Sequence, residues 1–337
     1  MDLKTLTEIN APSGYEQPLR RYLLEELKAA GLSPVIDRMG NVVVVREGKG
    51  ANRRRVMLSA HMDEVGFIVT SATEDGFLKI RPLGGVDPRV IISKRVLVGD
   101  EKLPGVIGAT PIHLQSRADS KRVLGYDDVY VDIGAKDKKE AEQKAPKGTQ
   151  ICFDTPYVTY GEGYACAKAL DDRVGIYNLF RLVTAEEDYP CDLVAVFASE
   201  EEVGCRGAKG AAFAQAPDVG IALEGTTCND LGDVPEACQV CRTGAGVAVS
   251  FGDGTSLVNR DLFRRTLKVA QEQNIRHQVK GSVSGGNEAG VMQRARQGIP
   301  TIVLSVPCRY IHSPSTACCL SDVEDQLALA GALLQSL

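Results

Sequence analysis

Apolar and polar positions along the chain follow two periods. Residues 18–30 (PLRRYLLEELKAA) place apolar side chains at helical spacing, and Gly31 supplies a stop. Residues 34–39 and 42–46 are short β-rich runs split by Gly40-Asn41, which predicts a hairpin. Residues 56–60 form a short apolar strand that ends at His61. Between about 70 and 160 the character changes. Val, Ile, Gly and Pro are frequent, and turn signals recur at Gly84-Gly85, Asp87-Pro88, Gly99-Asp100 and Pro104-Gly105. One helix is predicted there, near Lys138–Lys144. After Gly161-Glu162-Gly163, strands are predicted at 192–198, 218–223, 246–251 and 301–306. Helices are predicted at 170–184, 256–273, 288–296 and 321–337.

This alternation predicts an α/β fold: a mixed, mostly parallel sheet flanked by helices. The β-rich stretch interrupts it. The expected organisation is therefore a discontinuous main domain of residues 1–69 and 161–337 with a small β-rich domain, 70–160, inserted. A length of 337 residues accommodates both. Charged residues at 25% and apolar residues at 44% match a soluble globular chain. A net charge of −5 without a Lys/Arg block argues against a nucleic-acid partner. No apolar run is long enough to cross a bilayer, so no membrane partner is expected, and no secretory pattern opens the chain. The ten cysteines are scattered, and Cys238-x-x-Cys241 has no second pair, so they read as thiols of a cytoplasmic protein.

Candidate chemistry concentrates where open α/β sheets put their active sites, beyond the carboxyl ends of strands. Two of four histidines lie there: His61 in Ser59-Ala60-His61-Met62-Asp63-Glu64, and His312 in Arg309-Tyr310-Ile311-His312-Ser313-Pro314. Three acidic clusters occupy equivalent places. Asp171-Asp172 opens a predicted helix, where Asp172 reads as a cap. Glu200-Glu201-Glu202 follows the strand at 192–198, and Glu224 ends the strand before it. Two histidines and three carboxylates (His61, Asp171, Glu202, Glu224 and His312) make a nitrogen–oxygen ligand set. It suits zinc, cobalt or manganese better than calcium or magnesium. Five ligands are too many for one catalytic zinc and suit two ions. Three carboxylates and one hydroxide bring two divalent charges close to neutral. His113 reads as structural or interfacial, and His277 as solvated.

The motifs Ser59-Ala60-His61-Met62-Asp63-Glu64-Val65-Gly66, Ala169-Leu170-Asp171-Asp172-Arg173, Glu201-Glu202-Val203-Gly204-Cys205-Arg206-Gly207-Ala208 and Tyr310-Ile311-His312-Ser313-Pro314 resemble those of the glutamyl/tetrahedral aminopeptidase family. That family includes sequences once labelled endoglucanases. Gly84-Gly85-Val86-Asp87-Pro88-Arg89 and Val131-Asp132-Ile133-Gly134-Ala135 resemble its inserted β domain, so the likeness covers nearly the whole chain. The resemblance implies a metallo-aminopeptidase that acts on short peptides with two divalent ions, zinc or cobalt, with manganese also suited. In that pattern Asp171 bridges both ions. Glu202 and His312 complete one site, and His61 and Glu224 the other. Asp63 fixes the His61 ring, and Glu201 is the catalytic glutamate that moves the proton. The resemblance also implies a homo-oligomer, from a dimer up to a tetrahedral dodecamer, joined through the inserted domain.

Two departures stand out. Glu224 occupies a place where the family commonly has aspartate, and Asn287-Glu288, in Ser284-Gly285-Gly286-Asn287-Glu288-Ala289, replaces a frequent Thr-Asp. The first keeps open a related exopeptidase or deacylase of carboxypeptidase type. A glycosidase built on paired carboxylates would have no use for histidines at strand ends. A non-catalytic assembly protein would have no use for Glu201.

Overall fold

In the strands of the large sheet, successive side chains alternate between two apolar layers, which requires helices on both faces. The structure, a computed structural model, describes residues 1–51, 53–117, 121–283 and 285–337. Four parallel strands form the centre of the sheet, in the order β12 (Asp192–Ala198), β3 (Arg55–His61), β13 (Val219–Thr227) and β16 (Thr301–Arg309). From β3 and β12, Val56, Leu58, Ala60, Leu193, Ala195 and Phe197 face one layer. Their neighbours Met57, Val194, Val196 and Ala198 face the other. The first layer is built from α1 (Leu3–Glu8), α2 (Gln17–Ala29), α4 (Leu170–Thr184), α6 (Arg260–Glu272) and α8 (Leu320–Ser336). The second rests on α5 (Arg206–Gln215) and α7 (Glu288–Gln293).

Antiparallel strands extend the sheet on both sides. The expected hairpin of β1 (Val35–Ile36) and β2 (Val42–Arg46) joins at β12. On the other side β16 turns back into β17 (Thr316–Cys319), followed by β11 (Tyr164–Ala167) and β10 (Val158–Tyr160). A short pair, β14 (Val247–Val249) and β15 (His277–Val279), branches from β16.

The β-rich stretch folds as a closed antiparallel barrel in the order β4 (Gly66–Ala72), β5 (Leu78–Leu83), β8 (Val129–Asp132), β7 (Leu103–Ala109), β6 (Arg95–Val98) and β9 (Gln150–Phe153). Closure removes the free edges that six short strands would otherwise expose. Its interior is apolar, with Phe67 edge-on to Phe153 at 5.3 Å and Ile80, Ile107 and Val131 around them. An α-helix of this unit, α3 (Lys138–Lys144), is capped by Asp137, which accepts from the N–H of Glu140. The barrel strands run from Gly66 to Phe153, and β10 already pairs within the large sheet.

Candidate metal centre

All four central strands point the same way, so their carboxyl ends share one edge of the sheet. His61 is the last residue of β3 and is 1% exposed. The glutamate triplet opens the loop after β12, and α5 starts behind it at Arg206. Glu224 is not at a strand end. The apolar run stops at Leu223, but β13 continues to Thr227, with Glu224 opposite Ser305 of β16. Period 2 explains why this carboxylate turns inward: Glu224 lies on the same face as Ala222, towards α7. His312 sits in the loop that joins β16 to β17, with φ +57°. Asp171 stands at the start of α4 with non-helical angles (φ −84°, ψ 109°).

These residues converge. His61 Nε2 lies 3.5 Å from Asp171 Oδ1 and 3.9 Å from Glu224 Oε2. His312 Nε2 lies 3.4 Å from Asp171 Oδ2 and 3.5 Å from Glu202 Oε1. Among the described residues three triplets have their donor atoms within 4.8 Å of one another: His61–Asp171–Glu224, Asp171–Glu202–His312 and His61–Glu201–Glu202. Asp171 belongs to the first two, one oxygen towards each histidine. Glu201 Oε2 is 4.0 Å from His61 Nε2.

In the neutral form, both histidines present the nitrogen that faces the carboxylates as a lone pair. The Nδ1–H of His61 donates to the carbonyl oxygen of Asp63 (3.0 Å), and that of His312 to the carbonyl oxygen of Gly85 (3.0 Å). A carbonyl only accepts, so Nδ1 carries the proton and Nε2 is free to bind a cation. Asp63, 0% exposed, does more than stand behind His61. Its carboxylate accepts the N–H groups of Glu201 (2.9 Å) and Glu202 (3.0 Å) and the hydroxyl of Ser13 (2.6 Å), while Oδ1 lies 3.5 Å from His61 Nδ1. One side chain thus fixes the histidine and the glutamate loop together.

Asp172, expected only as a cap, caps and positions. Oδ1 accepts from the N–H of Gly175 (3.0 Å), and Oδ2 accepts from the N–H of His61 (3.1 Å). Arg173 ties α4 to the rest, donating to the carbonyls of Leu6 (3.0 Å), Ile9 (3.2 Å) and Met62. Behind it Lys168 holds both oxygens of Glu64 at 2.7 and 2.8 Å. Gly225 leaves the room that Asp171 needs, since a Cβ there would come within 2.9 Å of Asp171 Oδ1. The barrel supplies a wall: a Cβ on Gly84 would lie 3.1 Å from Glu202, and Gly85 holds His312.

The charge of this group calls for cations. Burial pushes Glu202 up to about 8, and it raises Glu201, Glu224 and Asp172 as well. Burial opposes a charged His312, but Asp171 and Glu202 outweigh it and raise the ring to about 9. His61 is raised by Asp171 and Asp63 against its burial. Among the described residues, buried Asp171 Oδ1 has no hydrogen-bond partner closer than the 3.5 Å approach of His61 Nε2. An orphaned carboxylate oxygen between two imidazoles fits a bound divalent ion.

The cleft over the donors measures 360 Å³ and is lined by His61, Asp171, Glu201, Glu224, Lys280 and His312, among others. A wider groove of 780 Å³, at the opposite ends of the parallel strands, is lined by Arg53, Arg54 and Asp218 and contains none of these donors. His113 is exposed on the barrel, and His277 donates through Nδ1 to the carbonyl of Ile275, so neither belongs to the centre. Asn287 caps α7 and lines the cleft, whereas Ser284 lies outside the described residues. The sequence singles out Gly84-Gly85 and Asn287-Glu288 as motif positions but gives neither Gly85 nor Glu288 a contact with the centre. A turn glycine and a glutamate at a helix start carry no signal of what the fold brings beside them.

Imidazole–carboxylate triplets at the carboxyl edge of an α/β sheet define a metallohydrolase class of centre. Comparison with known proteins narrows the class. The chain belongs to the M42 glutamyl aminopeptidase family, whose model matches residues 40–329. It is 33% identical to a lysyl aminopeptidase of Pyrococcus furiosus, over 99% of this chain and 96% of the relative. An aminopeptidase from the archaeon Desulfurococcus kamchatkensis has the same fold with a TM-score of 0.94 and 31% identity, over 99% of this chain and 94% of that one. The TET1 peptidase of Pyrococcus horikoshii, which can assemble into a tetrahedron or a large octahedral shell, superposes with a TM-score of 0.88 at 32% identity, over 99% and 98%. The protein is thus an aminopeptidase, a peptide hydrolase of a metal-dependent family.

Proposed function

We propose that the protein removes N-terminal residues from short peptides at a centre of two divalent ions, with Glu201 as general base. The observation that carries this is the sharing of Asp171 between two histidine–carboxylate triplets. His61, Asp171 and Glu224 would hold one ion, and Asp171, Glu202 and His312 the other. Nitrogen and oxygen donors favour zinc or cobalt, with manganese also suited. Bound divalent ions supply an acidified water and polarise the scissile carbonyl.

The chain's own residues do the rest. Glu201 Oε1 accepts a hydrogen bond from the Cys205 thiol (3.1 Å), which leaves Oε2 facing the centre. Oε2 takes the proton of the attacking water and returns it to the leaving amine. Asp63 keeps Glu201 and Glu202 in register through their N–H groups. The walls of the cleft, with the Gly84-Gly85 turn closing over Glu202 and His312, limit access to a chain end. We also infer that residues 70–160, built on the barrel, are an inserted unit through which copies associate, from a dimer up to a dodecamer. The exposed Val106 and Leu114 support a contact surface there. Ten free thiols suit a reducing compartment such as the cytoplasm.

A carboxypeptidase-type or deacylase reading rests on Glu224 alone. One experiment decides between the two. Peptides with free and with acetylated N-termini are assayed after loading with zinc, cobalt or manganese, and bound metal is counted. Cleavage confined to free N-termini with about two ions per chain is the expected result. Equal cleavage of blocked peptides would overturn the aminopeptidase mechanism at this centre, and saturation at one ion would overturn the dinuclear one.

A further inference from the structure

The loop that carries Glu201 is held by its backbone from three directions. The N–H groups of residues 199–202 each end on a side-chain oxygen from a distant segment. Asn41, 0% exposed between β1 and β2, accepts from Ser199 (2.8 Å). Glu16, which precedes α2, accepts from Glu200 (3.2 Å). Asp63, beyond β3, takes the N–H groups of Glu201 and Glu202. Glu16 has no task in the mechanism above, yet it is a carboxylate only 2% exposed. Burying such a group is costly unless it is well paired. Its Oε1 also accepts from the N–H of Gly14 (2.8 Å), and its Oε2 lies 3.5 Å from a guanidinium nitrogen of Arg20. Arg20 is itself fixed, donating through Nε to the carbonyl of Gly40 (2.6 Å). The Glu16 carboxylate therefore stays in place behind the loop.

The residue that Glu16 holds is the bend of the loop. Within residues 199–202, Glu200 alone has a positive φ, +54°. The left-handed region is strained for a residue with a Cβ, and it persists only where neighbours hold it. Rotation at Glu200 swings whatever follows, beginning with Glu201. Asp63 grips the chain only after that bend, so it does not by itself fix the angle at which Glu201 leaves it. The Glu16 side chain does, because its oxygen receives the N–H of the strained residue.

We propose that Glu16 is a positioning residue for Glu201: by accepting the N–H of Glu200 it holds the left-handed bend that turns Glu201 Oε2 towards the centre. The inference rests on the reading of Glu201 as general base and adds a residue to it. Two consequences follow from the geometry. An acceptor at position 16 matters more than its charge. Glycine at position 200, which takes a positive φ without strain, removes the need for that acceptor.

The test uses Glu16→Met and Glu16→Gln, with Glu200→Gly made in the parent and in the Glu16→Met protein. Each is read by kcat and KM on a peptide with a free N-terminus and by melting temperature. Glu16→Met should lower kcat by roughly tenfold to a hundredfold, the scale of a small displacement of a catalytic group. Its KM should stay within about twofold, because the group acts on the chemical step. Glu16→Gln keeps an amide oxygen for both N–H groups and should stay within about threefold of the parent kcat. The Glu16→Met, Glu200→Gly double variant should regain most of the lost kcat, whereas Glu200→Gly alone gives up only a surface pair with Arg206. An unchanged kcat in Glu16→Met would overturn the proposal. So would a kcat that follows the melting temperature and is not restored in the double variant, since that is the mark of a merely structural role. If Glu16→Met does not fold, Glu16→Asp serves instead: it keeps the carboxylate near Arg20 and draws it back from Glu200, and an unchanged kcat there would equally refute the bend. Glu201→Gln, assayed beside them, separates the two readings. Full turnover in that variant would remove Glu201 as the base, while a kcat lost in Glu16→Met and restored by Glu200→Gly would still put Glu16 in control of the loop.

Discussion

At the scale of single residues, the centre separates adjacent side chains into different tasks. Glu202 faces His312, Glu201 faces His61, and Glu200 turns out to pair with Arg206 at 3.1 Å. Glu201→Gln keeps the shape and the contact with Cys205 but removes the proton acceptor. Turnover should fall by roughly 10²–10⁴-fold while bound metal stays the same, as measured by kcat beside metal analysis. Gly225→Ala tests the space around Asp171. A methyl group 2.9 Å from Oδ1 must displace the carboxylate that both triplets share. Zinc affinity should drop by about tenfold or more at both sites together in a calorimetric titration. A loss confined to one site would mean that Asp171 does not serve both.

At the scale of elements, α4 is the piece that must be placed accurately, since it brings Asp171 and Asp172 to strands far away in sequence. Arg173 does this by spanning three backbone carbonyls beside Glu64. Arg173→Met would leave those carbonyls buried without their guanidinium donors and Glu64 with Lys168 and the N–H of Ala11. The expected cost is about 3–5 kcal/mol of stability by denaturant titration, with metal uptake weakened as the two aspartates lose their anchor. Strongly periodic elements were legible in the sequence: α4 and β12 begin and end where the pattern puts them, and the short, charged α3 does too. Short or polar ones were not. The apolar pattern gives no sign of α1, β11 or β17, because six residues of helix or four of strand have too few positions to establish a period, nor of α5, whose Gly/Ala-rich run RGAKGAAFAQ offers a single large apolar side chain. The strand at Glu224 was cut short for a related reason. Its last four residues, Glu224-Gly225-Thr226-Thr227, are held by pairing with β16 and not by apolar burial of their own.

That His61, Asp171, Glu202, Glu224 and His312 would lie together was legible because the carboxyl ends of parallel strands share one edge of the sheet. What completes the centre comes from contacts across long separations, Gly85 to His312 and Glu288 to Glu224, which no local pattern encodes.

At the scale of the whole molecule, the stored negative charge makes stability depend on pH and on metal. The folded protein binds protons more tightly than the unfolded chain at Glu202, raised from 4.5 to about 8, and at His312, raised from 6.5 to about 9. Raising the pH strips those protons from the folded state, so their contribution is present at low pH and is lost between about 4.5 and 9. The metal-free protein should therefore lose on the order of 5 °C in melting temperature between pH 6 and pH 9. Cations compete for the same sites, so zinc affinity should rise over that interval and binding should release protons. Calorimetry in buffers of different ionisation heat would register that release. A metal-free melting temperature that rises with pH would contradict this account of the charge.

The carbonyl of Gly85 sets which nitrogen of His312 is free, and it comes from the barrel, while the ring comes from the large sheet. The two units are therefore not separable as a machine and its handle. An excised sheet, even one that folded, would keep His312 yet let the ring flip and trade its proton between nitrogens. A partner that gripped the barrel from outside would also grip one end of the turn over His312, and would reach the orientation of one imidazole through the Gly85 carbonyl.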